Sequence, residues 1–111
     1  VMESTFRSGV LTLFVPGSTG GLTTIDFEPG AVSDFQRLFD EIVSPDREYR
    51  RHLRGGDDNG HSHGRAALLG PSLAVPFVEG ELTLGTWQQI IFCDFDTRSR
   101  ERNLVAHVAG E

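Results

Sequence analysis

Five short runs of β-branched and apolar residues follow one another at 66–69, 72–78, 81–84, 87–95 and 103–109, with turn residues at Gly70 and Pro71, at Gly80 and around 98–102. Connections this brief leave no room for crossover helices, so most of these strands must pair antiparallel. The spacing of residues 72–78 and 81–84 about Glu79 and Gly80 predicts a tight hairpin. The first half adds β-type runs at 10–15 and 22–26, closed by Pro16–Gly17 and Pro29–Gly30, and these two strands are expected to be neighbours.

Against this β background one helix stands out over residues 31–43. Phe35, Leu38, Phe39 and Ile42 repeat at helical spacing, Asp34, Arg37 and Glu41 take the other face, and Ser44 and Pro45 end it. Val1, Met2, Thr5 and Phe6 also fall at helical spacing and stop at Gly9, as the last turns of a glycine-capped helix would. The pattern predicts an α+β class, an antiparallel sheet covered by one long helix. A length of 111 residues fits a single domain, 1–111.

Composition narrows the function. No apolar run approaches the roughly 20 residues needed to span a bilayer, and no secretory signal is visible. A soluble, cytoplasmic protein is the expectation. A net charge of -6 argues against a phosphate-backbone binder, so neither nucleic acid nor membrane is expected as a partner. All ten basic residues are Arg, which removes Schiff-base and P-loop lysines. The single cysteine, Cys93, excludes an internal disulfide and a cysteine-cluster zinc site.

Residues 46–65 carry no apolar periodicity, and a connection this long has a function or no order. Within it His61 and His63 flank Ser62, after His52, Asp57, Asp58 and Asn59. On an extended segment, residues i and i+2 point the same way, so both imidazoles reach one divalent ion, zinc or magnesium, with Asp57, Asp58, His52 or a neighbouring subunit supplying the third ligand. A polar loop without a ligand fits the composition equally well. Gly17, Ser18, Thr19, Gly20 and Gly21 form a small-residue loop whose N–H groups, with the hydroxyls of Ser18, Thr19 and Thr23, suit a phosphate; turn formation alone is the plainer reading. Trp87, the only tryptophan, is expected to pack in a core or interface, with Gln88 beside it as a candidate site residue.

Three segments together resemble the YjbQ-like family. They are the run His63-Gly-Arg-Ala-Ala-Leu-Leu-Gly-Pro-Ser72, the stretch Val75-Pro76 through Gly80, Leu82, Leu84 and Gly85-Thr-Trp-Gln88, and the close Asp94-Phe95-Asp96 with Arg98. Upstream, Gly17-Ser-Thr19 through Thr23, Thr24 and Glu28-Pro-Gly30 is similar to the family's hydroxyl loop. The resemblance implies an α+β subunit assembled as a homotrimer, a polar pocket at the subunit boundary and a weak, secondary thiamine-phosphate synthase activity. It places His63 at the family's most characteristic histidine, Thr19 and Thr23 in the hydroxyl loop, and Trp87 and Gln88 in the tryptophan motif. Many members have a His where this chain has Gly17, and an Asn-Glu pair where it has Ile25 and Asp26. The resemblance also implies a strand and most of a helix ahead of Val1.

Two functions from different classes follow. In the first, His61 or His63 with a carboxylate holds a cation against a diphosphate floored by Ser18 and Thr19, and His63, Asp58 and Gln88 act in catalysis. In the second, a trimer binds a metal or a small phosphorylated metabolite and catalyses nothing.

Overall fold

The computed structural model describes residues 6–47, 49, 60–97 and 101–111. Its elements run β1 (Gly9–Phe14), β2 (Gly20–Asp26), α1 (Pro29–Ile42), α2 (Gly60–Leu69), β3 (Ser72–Val78), β4 (Glu81–Leu82), β5 (Gln88–Asp94) and β6 (Val105–Gly110). The α+β class stands; among the described residues it has two antiparallel sheets and two helices rather than one long helix covering a single sheet.

β1 lies at the heart of a four-stranded sheet ordered β4-β3-β1-β6, and β2 pairs with β5 in a separate ribbon. The expectation that residues 10–15 and 22–26 are neighbours is therefore corrected. The chain crosses between layers: Val15 is buried and donates its N–H to Pro71 O (2.8 Å), and Gly17 turns at φ 114. In the four-stranded sheet Leu11 faces Val75 and Val108, and Gly9 faces Phe77 and Gly110. Opposed residues share a face, and this one carries the buried Val75 and Phe77. Gly9 is required there, since a Cβ would lie 2.1 Å from Ala109 O; it opens β1 instead of capping a helix. Residues 1–5, where that helix was expected, lie outside the described residues. The hairpin forms as read, Phe77 facing Leu82 and Val78 facing Glu81, with Glu79 (φ 52) and Gly80 (φ 79) at the turn.

α1 starts where sequence chemistry places it. Pro29 occupies the first turn, and the Glu28 carboxylate accepts the N–H groups of Gly30 (3.0 Å) and Ala31. Its inward stripe is rotated from the expected one. Phe39 is buried, flanked by the half-buried Val32, Phe35 and Val43, whereas Leu38 and Ile42 are 50% and 52% exposed. Phe39 meets Phe35 edge-on at 4.9 Å and Phe95 at 5.0 Å, so the aromatic contacts choose the face.

The largest correction is at α2. The end of the expected polar loop and the expected strand 66–69 form one continuous helix, because Ser62 and Ala66 lie one turn apart and both turn inward. Gly70, at φ 100 with its N–H on Ala66 O (2.9 Å), and Pro71 end it as a helix terminus rather than as a turn between strands. The end of α2 sits on β2, where a Cβ at Gly21 would lie 2.8 Å from Leu69 Cδ2 and Leu22 donates to Gly70 O (3.1 Å). Arg65 ties the two helices, donating from Nε (3.0 Å) and Nη2 (2.9 Å) to Val43 O and from Nη2 to Asp40 (3.0 Å). Among the described residues no helix is long and apolar enough to cross a membrane.

Candidate functional site

The register of the ribbon sets Gly20 opposite Asp94, so the residues just beyond those positions, Thr19 on one side and Phe95 and Asp96 on the other, are forced together. Phe95 donates its N–H to Thr19 O (2.9 Å), which extends the pairing by one step. Thr19 is buried, and its hydroxyl donates to Asp96 Oδ2 (3.1 Å) while accepting from Arg102 Nη2 (2.8 Å). The same Nη2 donates to Asp94 Oδ1 (2.8 Å) and stands 3.9 Å from Asp96 Oδ2. Asp94 Oδ1 also accepts the Asp96 N–H (3.1 Å).

Burial decides what this cluster is. The Asp96 side chain is 1% exposed and that of Arg102 14%, so the carboxylate sits in the interior, with the Thr19 hydroxyl and the Arg102 guanidinium beside it. The Arg102 guanidinium lies over the Phe92 ring at 5.9 Å. Gly20 leaves room for that ring, since a Cβ there would approach it to 2.9 Å. Above the cluster Gly17 and Ser18 are exposed, and a Cβ at Gly17 would rest 3.6 Å from Arg102 Nη1.

Ser62 joins α2 to the same place. It is fully buried and its hydroxyl donates to Phe95 O. His61 and His63 flank it, both half-buried, and the His63 Nε2 atom is shielded from water with no hydrogen-bond partner among the described residues. In a helix, residues i and i+2 point about 200° apart. The two imidazoles therefore leave on opposite sides of Ser62, and the extended geometry expected to aim both at one ion is replaced. Among the described residues no group of three or more His, Cys, Asp or Glu is placed to hold a metal. Asp58, His52, Asp57 and Asn59 lie outside the described residues.

The remaining candidates separate along the ribbon. Thr19 belongs to the cluster and the exposed Ser18 precedes it in the chain, while Thr23 faces Ile91 in mid-ribbon. Gln88, opposite Asp26, lies six residues along β5 from Asp94, about 20 Å at strand rise. It works as a turn fastener, accepting from Gly85 N–H (3.0 Å) and donating to Thr24 Oγ1 (2.8 Å). That turn leaves Trp87 76% exposed, which corrects its expected place in a core; an interface remains open to it.

Asp94, Asp96, Arg102 and Ser62 were not singled out as site residues from sequence. The signal available was an Asp-x-Asp at a strand end followed by arginines. Beside the ribbon, α1 and β5 border an open groove of about 800 Å³, whose walls include Phe35, Phe39, Ile90, Phe92 and Cys93. Burial pushes the Cys93 thiol above its ordinary pKa.

The model of the family described as UPF0047 protein YjbQ-like matches residues 1–111. A UPF0047 protein of Methanothermobacter thermautotrophicus is 37% identical over 112 residues, covering 100% of this chain and 76% of the relative. The UPF0047 protein YugU of Bacillus subtilis is 35% identical over 97 residues, covering 86% of this chain and 71% of the relative. Among solved structures, a YbjQ-like protein of unknown function from Sulfolobus solfataricus superposes with a TM-score of 0.92 at 32% identity, over 99% of this chain and 78% of that one. A hypothetical protein of Aeropyrum pernix gives 0.86 at 32% identity, over 96% and 77%. With the family pattern matched along its whole length and the same fold in solved relatives, the chain belongs to the UPF0047, YjbQ-like family.

Proposed function

We propose that the chain is a non-catalytic binding subunit whose site, at Ser18, Thr19, Arg102 and His63, takes a small phosphorylated metabolite together with a divalent cation. The observation that carries this reading is the placement of Arg102. Its guanidinium is pinned by Thr19 and Asp94 directly behind the exposed Gly17–Ser18 loop. Asp94 and Asp96 flank that guanidinium, so a bare phosphate meets two carboxylates as well as a cation. A phosphate carried with magnesium or zinc arrives with that charge offset, and the cation need not find a preformed ligand cage. The half-buried His63 imidazole, next to Ser62 where α2 docks on Phe95, is the second group assigned to a phosphate oxygen.

The catalytic alternative, thiamine-phosphate synthesis, requires His63, Asp58 and Gln88 to converge. Gln88 lies about 20 Å along the ribbon, which favours binding over turnover. Incubation with the pyrimidine diphosphate and the thiazole phosphate separates the two readings. No thiamine phosphate should form above the level of a His63→Ala control; product that disappears with that substitution would establish the enzyme.

A homotrimer in the cytoplasm completes the proposal. Its support is the family membership. Light scattering on the purified protein should report three chains, and a stable monomer would remove the subunit-boundary pocket.

A further inference from the structure

We draw no further inference here: the strongest candidate, the outer face of the four-stranded sheet, where Val10, Phe14, Pro76, Val78 and Val105 stand exposed on one surface, carries nothing because nothing in the structure shows what covers it.

Discussion

Thr19 and Arg102 are 83 residues apart in the chain, yet the guanidinium Nη2 donates to the threonine hydroxyl at 2.8 Å. That bond closes the start of β2 onto the segment leading into β6, and Asp96 lies beneath it. Substituting Arg102 by Leu removes a guanidinium that stands 3.9 Å from a carboxylate whose side chain is 1% exposed. Removing one member of a buried ion pair costs up to about 3–5 kcal/mol. Urea unfolding of Arg102→Leu should show a loss near that range, and the double variant Arg102→Leu, Asp96→Asn should recover part of it. A loss below about 0.5 kcal/mol would place the cluster in water.

Ser62 makes a smaller but cleaner case. Its side chain is fully buried and its hydroxyl has Phe95 O as acceptor. Ser62→Ala leaves that carbonyl short of a donor, a loss of about 1–3 kcal/mol by denaturant titration. An unchanged midpoint would mean that α2 does not dock on the strand end.

The helix face is testable by contrast between neighbours. Phe39→Ala removes a buried ring and should cost about 3–5 kcal/mol. Leu38→Ala and Ile42→Ala, at half-exposed positions, should each cost less than about 1 kcal/mol. Equal losses at positions 38 and 39 would restore the stripe expected from sequence.

The hairpin turn holds Glu79 at φ 52, a conformation that asparagine tolerates better than glutamate. Glu79→Asn should raise stability by about 0.5–1 kcal/mol. A fall would show that the Glu79 side chain makes a contact of its own.

Cys93 carries a pH dependence whose sign follows from its raised pKa. Its thiolate is disfavoured in the folded state, so its contribution to stability is intact below the unfolded thiol value of about 8.5 and declines as pH rises through the higher folded value. The same shift slows alkylation. At pH 8 the native protein should react with iodoacetamide more slowly than the urea-unfolded chain, and equal rates would mean an exposed thiol.

The strands were legible because period-2 patterns and turn residues are local signals. The hairpin at Glu79–Gly80 and the boundaries of β3 and β5 follow from them to within a residue or so. What was not legible depends on partners distant in sequence. Residues 66–69 have an apolar run that suits a strand or a buried helix, and only the packing of Ser62 on Phe95 and of Leu69 on Gly21 selects the helix. The pairing of β1 with β3 and β6 rather than β2 is equally non-local. Within the candidate site, Thr19 and His63 were singled out because they stand in recognisable loops and motifs. Arg102 and Asp96 look like ordinary surface charges until the ribbon register brings Thr19 to them.

Binding of a phosphate with its cation on Arg102 is read by calorimetric titration of inorganic pyrophosphate with and without magnesium. The wild type should bind only when magnesium is present, and Arg102→Lys, which keeps the charge but not the planar fork, should bind at least about tenfold more weakly at unchanged secondary structure by circular dichroism. Equal affinity in the wild type and the variant, or absence of binding to the wild type under both conditions, would rule out a phosphate site on Arg102.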